Sequence, residues 1–266
     1  MNIFTKIKSV FVNRFNVLEQ KIITRLISKK QSIKHNDIGM VFFIPNALSR
    51  YRVETFATKE PETLDWINSF KEDSVLWDIG ANIGLYSIYA AKAKNARVFA
   101  FEPSVFNLEF LAKNIHANNL QNRIQIFPLA LNDKTGFNLF KMNNPVWGGA
   151  LSAFGVDYDQ SGNAFKTSFE YSIAGLSANR AMEVFKLPVP NHIKIDVDGI
   201  EHLVLAGATV VLKKVDSVLI EIDESFEEQS QNSNKHLSDA GLILSNRHIL
   251  NGAGDKQVNQ LWIRGK

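Results

Sequence analysis

Apolar positions along this chain alternate between short continuous runs and helically spaced stripes, and the alternation sets out the elements in order. Val75-Leu76-Trp77 ends in Asp78 and a loop with glycines at 80 and 84. From Ile83 onward Leu85, Ile88, Tyr89 and Ala91 recur at helical spacing until Lys92 and Lys94 close the segment. A second run, Val98 to Phe101, ends in Glu102-Pro103. The pattern predicts strand, glycine loop, helix, strand, with an acidic residue at the carboxyl end of each strand. Downstream it predicts a helix over 104–118 that Ser104 caps, a strand over 124–131, an irregular stretch over 137–190 and a strand over 192–197. A helix over 200–213, a strand over 218–223, a polar helix over 226–240 and strands near 242–250 and 259–264 complete it. Seven strands follow Val75, the last two hairpin-like, which predicts a doubly wound α/β sheet with an antiparallel final strand.

Upstream, Ile3, Ile7, Phe11, Phe15, Leu18, Ile22 and Leu26 lie three or four apart, one apolar face of a helix over 1–30. Two apolar runs, 41–44 and 51–56, flank a Pro-Asn turn and read as a β-hairpin; Pro61 opens a short helix behind them. The division expected is an extension over 1–58 and a main domain over 59–266, with 137–190 as a substrate-side insertion.

Charge changes the picture of the extension. Net charge is +3, but residues 1–34 hold eight Lys or Arg against Glu19, leaving the remainder acidic by four. A nucleic-acid groove across the body is therefore disfavoured. The basic helix over 1–30 is expected to pack on the domain or in a homodimer contact, with an anionic membrane surface as the alternative. There is no cysteine, hence no disulfide, thiolate nucleophile or cysteine zinc site, and no run near the roughly 18 apolar residues of a membrane span. These features predict a cytoplasmic protein, at most peripheral to the inner face of a membrane.

The glycine loop carries the candidate chemistry. Gly80 and Gly84 are expected to let the backbone approach a ligand, Glu102 to accept from two ribose hydroxyls, and Asp78 to fix the loop or receive an ammonium. Gly80-Ala81-Asn82-Ile83-Gly84 puts asparagine where a dinucleotide fingerprint has its second glycine, which favours a smaller nucleoside ligand over a pyrophosphate. A second patch, Lys194-Ile195-Asp196-Val197-Asp198-Gly199-Ile200-Glu201, delivers Asp196 to the carboxyl edge of the sheet. Asp198 and Glu201 there read equally as substrate contacts or as helix-end residues. Trp147, behind Asn143-Asn144-Pro145, reads as a platform for the C–H face of a sugar or as a plug at the core edge.

The D-x-G-x-N-x-G loop with its E-P-S partner resembles motifs I and II of S-adenosylmethionine-dependent methyltransferases. With K-I-D-V-D-G-I-E, V-L-A-G-A, a strand ending I-E and K-E-P-E-T upstream, residues 50–225 resemble the FkbM-type methyltransferases. The resemblance implies a seven-stranded Rossmann-like fold and S-adenosyl-L-methionine held by Asp78, Gly80, Asn82, Gly84, Glu102 and Ser104. It places Asp196 near the methyl group as a cofactor contact; Asp196 is also the first choice of base, and no metal ligand is assigned. It implies O-methylation of a sugar hydroxyl in a glycan, lipopolysaccharide or secondary metabolite. Two departures stand out: Asp198 where the family usually has Glu, and Ser172 to Leu176 where it often has T-L-D-D-L. The alternatives are an NAD(P)-dependent oxidoreductase and a non-catalytic ligand-binding scaffold of the same fold.

Overall fold

The structure, a computed structural model, describes residues 17–250 and 256–265. A helix at 17–27 (α1) leads into a hairpin of β1 (Lys30–His35) and β2 (Ile38–Phe43). Three short helices follow: α2 (Ala47–Glu54), α3 (Phe56–Lys59) and α4 (Pro61–Asn68). The first half of the main sheet is β3 (Val75–Ile79), α5 (Leu85–Ala93), β4 (Arg97–Phe101), α6 (Val105–Ala117) and β5 (Ile124–Phe127). Between the halves lie β6 (Ala130–Leu131), β7 (Gly136–Met142), β8 (Ser152–Phe154), β9 (Phe169–Leu176) and α7 (Ala178–Val184). The second half is β10 (His192–Ile195), α8 (Glu201–Ala206), α9 (Thr209–Leu212), β11 (Ser217–Asp223), α10 (Glu227–Asp239), β12 (Leu242–Ile249) and β13 (Gln257–Arg264).

The main sheet has seven strands in the order β12-β13-β11-β10-β3-β4-β5, parallel except for β13, which runs antiparallel to both its neighbours. Successive side chains feed opposite faces. Trp77, Ile79, Phe99 and Phe101 join one core with residues of α7 to α10, while Leu76, Val98 and Ala100 join another with residues of α2 to α6 and the hairpin. Helices on both faces make the sheet doubly wound, as its near-continuous apolar strands require. The strand order reverses between β3 and β10, and a crevice opens beyond the carboxyl ends of strands at such a point.

Four expectations change. The hairpin is β1 with β2, not 41–44 with 51–56. Asn36 and Asp37 adopt φ of 45° and 64°, the geometry of a tight hairpin turn, whereas Asn46 caps a helix by accepting from Ser49 N at 2.8 Å. The predicted strand over 124–131 breaks at Pro128, which has no N–H for the ladder, so that β5 and β6 belong to different sheets. The segment over 137–190 is not irregular: β6, β9, β7 and β8 form a four-stranded sheet. The helix over 200–213 is two short ones, interrupted at Gly207, where a Cβ would overlap the carbonyl of Asn132.

Of the helix predicted over 1–30, the part before 17 lies outside the described residues. Along 17–27, Val17, Leu18, Ile22, Ile23 and Leu26 are exposed, so this stretch does not pack its apolar side on the domain. Among the described residues no helix is long and apolar enough to cross a membrane.

Candidate active site

The loop after β3 folds back on its neighbour, with Gly80 N and Ala81 N donating to Phe101 O at 3.0 and 3.1 Å. Gly80 and Gly84 both sit at φ +87°, in the left-handed region. The space each leaves is taken by the protein itself. A Cβ on Gly80 would collide with the carbonyl of Asp196, and one on Gly84 would lie 2.6 Å from the Leu111 side chain. Both glycines thus pack the protein against itself, β3 against β10 and α5 against α6, while Gly80 also lines the cavities described below. Asn82, also left-handed at φ 51°, accepts from Ile83 N at 2.9 Å and donates to Gly149 O at 2.8 Å.

Glu102 ends β4 and lines a cavity of about 210 Å³ at the reversal point. Its carboxylate accepts from Asn82 N at 2.7 Å and Ser104 N at 2.8 Å, with the Asn107 amide at 3.5 Å. Burial without a cation pushes its carboxyl up to about 7, against the pull of those donors. Ser104 caps α6, its hydroxyl accepting from Asn107 N at 3.4 Å; it lies behind Glu102 and off the cavity wall. Apolar walls come from Phe101, Pro103, Leu129, Leu131, Phe140 and Phe154.

A second, smaller cavity adjoins the first, and Arg52, Lys59, Gly80, Asn82 and Asp196 line both. Asp196, just past β10, pairs with Lys194 Nζ at 2.7 Å. Burial pulls its pKa up, but the charges of Lys194 and Lys59 hold it below the ordinary carboxylate value. This makes Asp196 a weak proton acceptor. Glu60 accepts from Lys59 at 3.0 Å and lies 4.0 Å from Lys194. Burial, with Asp196 and Glu60 nearby, drives Glu221 well above its usual range. Glu60, Asp196 and Glu221 offer carboxylate oxygens within 4.8 Å of one another, and two ammonium groups already meet their charge.

The remaining predicted residues divide clearly. Asp78 is buried, accepts from Ser87 Oγ at 2.5 Å and faces the second cavity, so it fixes the start of α5. Asp198 lines the first cavity and accepts from Ser152 N at 3.0 Å and Ser152 Oγ at 3.2 Å. Glu201 is buried behind the wall, accepting from Val197 N at 3.1 Å, Gly199 N at 3.0 Å and the Gln229 amide, and so closes the turn. Trp147 turns its ring onto Phe110 at 5.3 Å and joins the core behind α6, away from both cavities. Its backbone is what matters to the cleft. Asn46 donates to Trp147 O at 2.9 Å, Arg52 Nε to Gly148 O at 2.6 Å, and Asn107 to Gly149 O at 3.1 Å. Arg52, Lys59, Glu60, Asn107 and Glu221 are site residues that sequence reasoning missed. The K-E-P-E-T block, holding Lys59 and Glu60, and the strand ending I-E, holding Glu221, gave the only signals.

The family model for the methyltransferase FkbM domain matches residues 78–247. The hexuronic acid methyltransferase AglP of Haloferax volcanii is 29% identical over 172 residues, covering 65% of this chain and 64% of that protein. This chain thus spans just under two thirds of the length of that relative. The crystal structure of methyltransferase FkbM from Methylobacillus flagellatus matches 73% of this chain and 44% of its own, with a TM-score of 0.51 at 18% identity. That likeness concerns the fold alone. On the strength of the matched domain, the chain belongs to the methyltransferase FkbM family.

Proposed function

We propose that this protein transfers the methyl group of S-adenosylmethionine to an oxygen atom of a sugar-containing acceptor. The observation that carries the reading is Glu102, a buried carboxylate on the wall of the cavity at the point of strand reversal. The donor set fits a nucleoside. Glu102 Oε2 accepts one N–H and has a lone pair left for a ribose hydroxyl, and Leu129, Leu131 and Phe154 give an adenine-sized group apolar surface. The Asn82 amide, bound to Gly149 O, occupies the room a second glycine would leave for a pyrophosphate, which speaks against a dinucleotide. The sugar comes from the relative, whose name specifies a hexuronic acid.

S-adenosylmethionine supplies an electrophilic methyl group on a positively charged sulfur. The ionised Asp196 on the shared wall favours a cationic ligand in the cleft. Lys194 keeps that charge in place across the neutral range, and residues Gly149 to Ser152 wall one side of the first cavity. Titration calorimetry with S-adenosylmethionine and with NADH tests the ligand, and labelled methyl transfer to fractionated glycans tests the reaction. Micromolar binding of the first alone and label in a sugar fraction are expected. Binding of NADH, or of neither, removes the reading.

A further inference from the structure

We propose that the apolar face of α1 docks on an anionic lipid bilayer, with the cations beside it meeting the headgroups. The inference goes beyond the transfer reaction: it rests on the N-terminal helix and on neither cavity.

α1 is anchored but uncovered. It runs into the hairpin, where Ile44 N donates to Lys29 O at 2.8 Å, and β2 is fastened to α6. Asn118 bonds both the N–H and the carbonyl of Val41, at 3.0 and 2.7 Å, and Asn114 accepts from Phe43 N at 2.8 Å. Before that anchor, Leu18, Ile22 and Leu26 recur on one side of the helix with Ile23 beside them, each more than half exposed. Along 17–27 only Ile27, at the end nearest the hairpin, is half-buried. An apolar stripe that its own domain leaves bare marks a contact surface. The same spacing continues upstream in the sequence at Ile3, Ile7, Phe11 and Phe15, which lie outside the described residues.

Charge decides what covers it. Lys21, Arg25, Lys29 and Lys30 are exposed, none is in an ion pair among the described residues, and Glu19 is the one acid from 17 to 30. At about 100° per residue, Lys21 and Arg25 fall along one flank of the stripe. A second copy paired along the same stripe would set these cations against their equals, which repels. A bilayer rich in anionic lipid answers both parts of the helix. Its headgroups meet the ammonium and guanidinium groups, and the hydrocarbon just beneath takes the aliphatic side chains. Lysine and arginine stems span the distance between the two levels. The helix lies in the plane of the surface, since no helix of the described residues is long and apolar enough to cross it.

The experiment floats the full-length protein with two kinds of vesicle, one of phosphatidylcholine and one of equal parts phosphatidylcholine and phosphatidylglycerol, at low and high salt. The protein should rise with the anionic vesicles at low salt, stay behind with the neutral ones, and be released by high salt. Lys21→Gln with Arg25→Gln should cut binding by more than tenfold, since each basic group near such a surface contributes about fivefold. Ile22→Glu with Leu26→Glu should abolish it. All four side chains are exposed, so melting temperature and S-adenosylmethionine affinity should match wild type in both variants. Full-length protein that stays unbound at low salt overturns the inference, and so does equal flotation of the Ile22→Glu, Leu26→Glu protein. Light scattering without lipid addresses the other occupant. A dimer that the same two substitutions split assigns the face to a second copy and overturns the bilayer reading.

Discussion

Glu102 and Asp196 close the ends of β4 and β10, the two strands that flank β3, and they are ionised by opposite means. Glu102 is 4% exposed and meets only N–H dipoles, so burial dominates and its carboxyl rises to about 7. Asp196 is also drawn up by burial, yet the charges of Lys194 at 2.7 Å, Lys59 and Arg52 together outweigh it and the net shift is downward. Dipoles lighten the cost of burying a charge, whereas a full opposite charge reverses it. One side of the cleft therefore carries a carboxyl poised near neutrality, and the other a fixed negative charge.

The largest test removes the fixed charge's partner. Lys194→Met leaves Asp196 and Glu60 without their shared cation; losing one member of a buried pair costs about 3–5 kcal/mol. That is roughly 10 °C in the melting temperature of a chain this size, read by calorimetry. A Tm within two degrees of wild type would show that Lys194 does not set the charge of Asp196.

The segment that leads into the first cavity's wall comes next. Trp147→Ala removes the ring packed on Phe110 and is expected to cost about 2–3 kcal/mol, since the ring is only half-buried. The loss should appear in Tm and in both ligands' affinities together. A rise confined to the acceptor KM at unchanged Tm would restore the sugar-platform reading.

On the other side of the comparison, Glu102→Gln should weaken S-adenosylmethionine by about 1.4 kcal/mol, roughly tenfold, at pH 8. The ionised carboxyl is the better acceptor, so wild-type affinity should climb as pH rises through about 7. The variant should lose that climb, and an equal slope in both proteins assigns the titration to another group. The smallest effect concerns His192, stacked on Phe70 with ring centres 3.7 Å apart, whose pKa burial lowers to about 4. The folded protein resists a proton that the unfolded chain takes up below about pH 6.5. Stability is thus full above 6.5 and falls toward pH 4; His192→Gln should flatten the fall in Tm over that window.

The central βαβ unit was legible because its signals are local: apolar runs, a glycine loop and an acid at each strand end, all within thirty residues. Glu102 and Asp196 were found for the same reason. Arg52, Lys59 and Glu221 were not, because three separate elements bring them to one rim and no spacing along the chain records that. The hairpin was misplaced for want of weight on Asn36-Asp37, whose turn geometry fixes it. The strands of the four-stranded sheet were hidden by their exposure: β7 buries only Phe140 and Met142, so its alternation never stands out. The glycines also make room for Asp196 and Leu111, a packing role that their spacing alone did not show.

The clasp on Trp147–Gly149 bears on how this cleft diversifies. Asn46, Arg52, Asn82 and Asn107 all grip main-chain carbonyls, so what they recognise is the path of the segment and not its side chains. Ala150 and Leu151 follow directly and face the first cavity. They stand where substitution reshapes the cleft without releasing its hold. Selection for a new acceptor thus has two positions to explore. A library randomised at 150, and at 151 without β-branched residues or proline because Leu151 holds a φ of 59°, should keep its melting temperature while its acceptor preference scatters.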